Sequence, residues 1–168
     1  MLSPWEIGLL SSVCFLLWET LTPLVFKKFT LTQIYHSFAS IRKANAMALS
    51  PVWLQSTVEL ELRNSDVHHT IRDIEVIPTV FEAVPKMSCL QIVILTNIRL
   101  SSSELVNILR APILCKIMLT RVILPNFTLT KLLLTSVLHL SLQITGELGR
   151  AILLWTHLSA SLEVLELR

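Results

Sequence analysis

The apolar residues of this chain fall into one uneven spacing that keeps returning. Leu90, Val93, Leu95, Ile98 and Leu100 define it, and Leu114, Ile117, Leu119, Val122 and Leu124 repeat it. Val137, Leu140, Leu142 and Thr145 form a third copy, and Leu162, Leu165 and Leu167 open a fourth. A degenerate earlier copy runs through Thr57, Leu60, Leu62, Ser65 and Val67. Successive copies start 33, 24, 23 and 25 residues apart. Inside each copy the two-residue step is the period of a strand, whose side chains alternate between faces. Strands are therefore predicted near 57–63, 90–96, 114–120, 137–143 and 162–168. In the first of them Val58, Leu60 and Leu62 face a core, while Glu59, Glu61 and Arg63 face solvent.

The segments between strands carry helical signals. Thr32 to Ser50 spaces Ile34, Phe38 and Ile41 on one face, and Pro51 closes it. Ile71 to Val84 forms another helical face, broken by Pro78. Ser101-Ser102-Ser103-Glu104 is a helix opening, with serine caps and an acid in the first turn. Leu105, Ile108 and Leu109 turn inward, and Pro112 ends that helix. Thr128 to Leu134 reads as an irregular or 3₁₀ return, and Leu148 to Leu158 as a further outer helix. Near the start, Ser3-Pro4 opens a largely apolar helix that Pro23 breaks, and Leu24 to Leu31 resembles a short strand.

This arrangement resembles the leucine-rich repeats, whose period is about 20–29 residues. The resemblance implies an α/β solenoid: a short right-handed arc of about five parallel strands with outer helices, preceded by an N-terminal helical cap. Residues 1–32 form the cap and 33–168 the irregular repeats. The family's asparagine position holds Ile98, Val122 and Thr145, so its side-chain amide ladder is expected to be absent. The last repeat strand lacks a polar cap, which such arrays need, so a truncated fragment is one expectation.

Composition narrows the chemistry. At 52% hydrophobic and 15% charged residues, the chain is too apolar for disorder and predicts a large core. A net charge of +2 with only Lys27-Lys28 and Arg42-Lys43 as adjacent basic pairs disfavours nucleic acid. Cys14, Cys89 and Cys115 lack C-x-x-C spacing, and the adjacent His68 and His69 point in divergent directions without a third ligand, so no metal site is expected. Three glycines provide neither a G-x-S-x-G elbow nor a phosphate-binding loop. No cofactor and no enzymatic activity are expected. Ile7 to Trp18 is apolar, yet it is about half the ~20 residues needed to span a bilayer and lacks a basic leader. A membrane span is therefore not expected, and a cytoplasmic or nuclear location is.

In a repeat strand the residues between core leucines point to the concave face. Those candidates are Glu59, Glu61 and Arg63; Ile92, Ile94 and Thr96; Lys116, Met118 and Thr120; and His139, Ser141 and Gln143, with Val164, Glu166 and Arg168 beyond. The face has an acidic start, an apolar middle at Ile92, Ile94 and Met118, and a polar end. An exposed apolar patch of this kind suits a protein partner, with Ile94 beside Met118 as the anchor.

The N-terminal run Val13-Cys14, Trp18, Pro23-Leu24, Phe26 and Thr30-Leu31 resembles the second half of an F-box, as found in fungal F-box proteins ahead of leucine-rich repeats. Leu2-Ser3-Pro4-Trp5-Glu6-Ile7 resembles the opening of that motif, and the whole is shorter than a full F-box. The resemblance implies that Val13, Cys14, Trp18, Pro23, Leu24 and Phe26 contact the Skp-type adaptor of a cullin ubiquitin ligase. The concave face would then present a protein substrate. From another class, residues 5–21 could tether a secreted or membrane-bound recognition protein, with Asn126-Phe127-Thr128 as a glycan acceptor.

Overall fold

The computed structural model describes residues 13–17, 21, 24–33, 38–64, 76–125, 136–143 and 161–167. It is an α/β structure built on one sheet of six parallel strands. The strands are β1 (Lys28–Gln33), β2 (Glu59–Asn64), β3 (Ile92–Thr96), β4 (Lys116–Thr120), β5 (His139–Gln143) and β6 (Val164–Leu167). Their order in the sheet is their order in the sequence. The second to sixth coincide with the strands predicted from the apolar spacing. The first is an addition to the sheet: it lies across residues 32 and 33, pairing Phe29 with Leu60 and Leu31 with Leu62.

After β1, four helices accompany the sheet among the described residues: α1 (Phe38–Leu49), α2 (Pro51–Ser56), α3 (Val76–Ala83) and α4 (Ser102–Leu109). A 3₁₀ turn at Val84–Lys86 continues α3. Helix α1 packs on β1 and α3, and α3 packs on α4, so the helices follow the strands in a second layer. Prolines shape this layer differently from expectation. Pro51 does not simply close α1; it opens α2 from the first-turn position, with Ser50 extended before it. Pro78 does not break its helix. It lies inside α3, whose described residues run on through it to Ala83. The serine opening of α4 is a full capping box: Glu104 N–H donates to Ser101 Oγ at 3.3 Å, and Ser101 N–H donates to Glu104 Oε2 at 2.6 Å.

The core is two columns of inward side chains running across the sheet. Phe29, Leu60, Val93, Ile117 and Leu140 form one, and Leu31, Leu62, Leu95, Leu119 and Leu142 the other, all buried and in register. Val80, Phe81 and Val84 from α3 and its turn, Ile108 and Leu109 from α4, and Met47 from α1 complete the same core. Both columns reach β6 with Leu165 and Leu167, which are exposed. At the opposite edge, Trp53 meets the rings of Phe26 and Phe29 edge-on, at centroid distances of 4.5 and 5.1 Å.

A backbone device repeats between all strands. The carbonyl just before each strand accepts two N–H groups from the next: Lys27 from Val58 and Glu59, Val58 from Gln91 and Ile92, and Gln91 from Cys115 and Lys116. Cys115 and Leu138 continue the pattern to β5 and β6. At the far end of β3 and β4 the chain bends through a left-handed residue, Asn97 at φ 55° and Arg121 at φ 53°. Asn97 Nδ2 donates to the Asn64 carbonyl of the preceding coil at 3.1 Å. This amide link precedes Ile98 by one residue.

Replacing Asn97 with valine should therefore cost about 2–3 kcal/mol, combining a β-branched residue in the left-handed region with a lost hydrogen bond. Arg121→Gly should be tolerated within about 1 kcal/mol, because glycine relieves the backbone while adding unfolded-state entropy. Urea midpoints of the two variants measure the contrast. On β3, Leu95→Asp should unfold the chain, since it puts an unpaired charge into the filled core. Ile94→Asp, one residue away, should keep its circular dichroism and a cooperative melt.

Candidate protein-binding face

The sheet's other face carries the residues expected on the concave side, and strand pairing sets them in three rows. Lys28, Glu59, Ile92, Lys116, His139 and Val164 form the first row. Thr30, Glu61, Ile94, Met118, Ser141 and Glu166 form the second. Thr32, Arg63, Thr96, Thr120 and Gln143 form the third. All twelve predicted residues of β2 to β5 thus share this face, while Arg168 lies outside the described residues. Parallel sheets usually bury both faces. Here Ile92, Ile94 and Met118 remain half-buried, in contrast to the sealed Val93, Leu95, Ile117 and Leu119 behind them.

The charged end differs from expectation in one respect. Glu61 does not project into solvent; its side chain is only 4% exposed. Strand β1 explains this, because it brings Lys28 and Thr30 alongside β2. Lys28 Nζ lies 2.6 Å from Glu59 Oε1 and 2.9 Å from Glu61 Oε2, Arg63 pairs with Glu61 Oε1, and Thr30 Oγ1 donates to Glu61 Oε2 at 3.4 Å. Burial on its own would raise the Glu61 carboxyl, but the hydrogen bonds and charges of Lys28 and Arg63 outweigh it and hold the group below its usual value. Lys28 is pushed up, mainly by its bond to Glu59 and then by that to Glu61.

The polar end is looser. His139 Nε2 is buried without a hydrogen-bond partner among the described residues and lies 3.6 Å from Glu166 Oε1, beyond hydrogen-bond range. Ser141, the register partner of Glu166 in the second row, is buried at 6% exposed. Lys116 has no ion pair among the described residues, so it is the free cation beside the apolar patch.

The residues assigned to adaptor contact by resemblance are placed only in part. Val13, Cys14 and Leu24 are exposed, and Phe26 is half-buried against Trp53. Trp18 and Pro23 lie outside the described residues, as do His68, His69 and the Asn126 triplet. Cys89 and Cys115 are half-buried free thiols, and Cys115 Sγ donates to the Gln91 carbonyl at 3.3 Å. No group of three potential metal ligands occurs among the described residues. Nor, among those residues, is any helix long and apolar enough to cross a membrane. Comparison with known proteins finds no match to a family model, a curated protein or a solved structure.

The buried carboxylate makes stability pH-dependent with a defined sign. A carboxyl whose folded-state value is depressed contributes stability above the unfolded value of about 4.3, lost as pH falls through the folded one. Acid titration of the unmodified chain should therefore lose stability below about pH 4. In Glu61→Gln that acid-side loss should shrink, and stability at pH 7 should already be lower by about 1–2 kcal/mol. The opposite arm belongs to Lys28: its contribution is present below about pH 10.4 and fades as pH rises through its raised value.

Proposed function

We propose that this chain is a non-catalytic protein-binding module, a leucine-rich-repeat solenoid that engages its partner on the concave face. The supporting observation is the half-exposed trio Ile92, Ile94 and Met118 on a parallel sheet whose opposite face is sealed. A small apolar centre flanked by charged and polar rows is the composition of a binding patch with a wet rim. The solenoid assignment draws support from the sequential strand order, the carbonyl device repeated at five junctions and left-handed residues 24 positions apart. The F-box resemblance makes the module the substrate-recognition part of a ubiquitin-ligase subunit in the cytoplasm or nucleus. That further step rests on the resemblance of residues 1–32 alone.

Affinity capture tests the two parts separately. Proteins recovered by the unmodified chain should be lost with Ile94→Asp and with Met118→Asp, each by at least about tenfold, as for a central anchor. They should be kept by Glu82→Lys, an exposed substitution on α3. Undiminished recovery by both face variants would remove the concave face as the site. Failure of purified Skp-type adaptor to bind the chain would remove the ligase assignment and leave the module.

A further inference from the structure

The apolar centre of the concave face has a cation set into it. Strand pairing puts Ile92 beside Lys116 and Ile94 beside Met118, so these four residues stand on one face as a two-by-two block. Residues two apart on a strand are about 7 Å apart, and neighbouring strands about 5 Å. Lys116 is therefore a corner of the patch and not part of a distant rim. It is half-buried, like the three apolar residues. Its register partners are Ile92 on β3 and His139 on β5, so no carboxylate stands level with it. Among the described residues it has no ion pair. The acids of this face are held elsewhere: Glu59 and Glu61 by Lys28 and Arg63, and Glu166 on β6, two strands away, beside His139.

The chain around the patch has the same sign. From Ala83 to Gly146 it carries six basic residues and one acid, Glu104. That acid is held in the capping box of α4, where it accepts the Ser101 N–H. Arg99 and Arg121 are exposed just past the ends of β3 and β4, and neither has an ion pair among the described residues. Arg121 follows Met118 by three residues, at most about 10 Å along the chain and within about one Debye length in ordinary salt. A positive field with no counter-charge at a half-apolar surface draws acidic chains and repels basic ones.

We propose that the concave face selects an acidic segment of a partner protein, in which an apolar side chain packs on Ile92, Ile94 and Met118 while a carboxylate beside it pairs with Lys116. The inference rests on the concave face being the binding surface, and adds the chemistry of what that surface takes. A block of this size holds one apolar group and one carboxylate, the reach of neighbouring side chains in a single segment. Contact with a partner removes more water from Lys116, and a cation that loses water needs a counter-charge. An uncharged apolar segment leaves Lys116 without one, so the same corner that attracts acids also discriminates against neutral partners.

Panning a phage-displayed library of random linear peptides on the full chain tests this. Peptides that bind the unmodified chain and are lost with Ile94→Asp should be enriched in aspartate or glutamate next to an apolar residue. Such a peptide, synthesised alone, should bind more weakly as salt is raised. Its affinity should fall at least about tenfold with Lys116→Glu at unaltered circular dichroism. The same peptide with lysine in place of its acid should prefer Lys116→Glu to the unmodified chain. Should Lys116→Glu misfold, the composition of the enriched peptides, and the loss of affinity when the peptide's acid becomes its amide, still decide on the unmodified chain. Ile94-dependent peptides without an excess of acid, or ones that Lys116→Glu binds equally well, overturn the charge assignment and leave the face as a binding site. The absence of any Ile94-dependent peptide overturns both. Self-association of the free chain that Ile94→Asp abolishes would make a second copy the occupant, and that too overturns the proposal.

Discussion

One backbone carbonyl ahead of each of the first five strands holds the sheet in register. Lys27, Val58, Gln91, Cys115 and Leu138 each offer a carbonyl oxygen to two successive N–H groups at the start of the next strand. Each strand therefore starts level with its neighbour, whatever the length of chain between them. The intervals from strand start to strand start are 31, 33, 24, 23 and 25 residues, yet the register does not drift. That constancy matters because side chains alternate along a strand: a one-residue slip would turn Val93 and Leu95 out and Ile92 and Ile94 in. The two core columns and the three surface rows all follow from this lock.

With the register held, the two faces of the sheet take different roles. Behind it, Leu60, Leu62, Val93, Leu95, Ile117, Leu119, Leu140 and Leu142 fill one continuous core under the helices. In front, the same alternation sets a neutral ion cluster at β1 and β2, an apolar centre at β3 and β4, and the His139–Glu166 pair at β5 and β6. The ion cluster closes on itself around Glu61, so it shapes one end of the face and leaves the apolar centre to do the contacting. A half-exposed apolar centre of this size fits a partner that desolvates a few side chains, with the charged rows tuning approach and specificity.

The strands were legible because their signal is local and repeated. The leucine spacing locates β2 to β6, and alternation assigns Ile92, Ile94 and Met118 to the opposite side from Val93, Leu95, Ile117 and Leu119. β1 was readable only in part: the strand expected over Leu24 to Leu31 overlaps it from Lys28, while Leu24 and Val25 are helical, and its place in the sheet was not legible because Phe29 and Leu31 alternate with polar and basic neighbours and carry no full repeat. Glu61 was misjudged for the same reason. Its burial depends on Lys28 and Thr30, and no pattern within β2 announces a carboxylate covered from another strand. The prolines illustrate a further limit: a proline breaks a helix only if the turn before it is already formed, and Pro51 instead falls in the first turn of its own helix. The link from Asn97 to the Asn64 carbonyl was not anticipated, because nothing in the apolar spacing marks Asn97.

The account stands on the assignment of the two faces at the centre of the sheet, and methyl NMR with a soluble paramagnetic agent reads it directly. The methyl groups of Ile92, Ile94 and Met118 should broaden strongly, while those of Val93, Leu95, Ile117 and Leu119 stay sharp. Equal protection of both sets would mean that the candidate face is covered, and the reverse pattern would mean that the register itself is wrong.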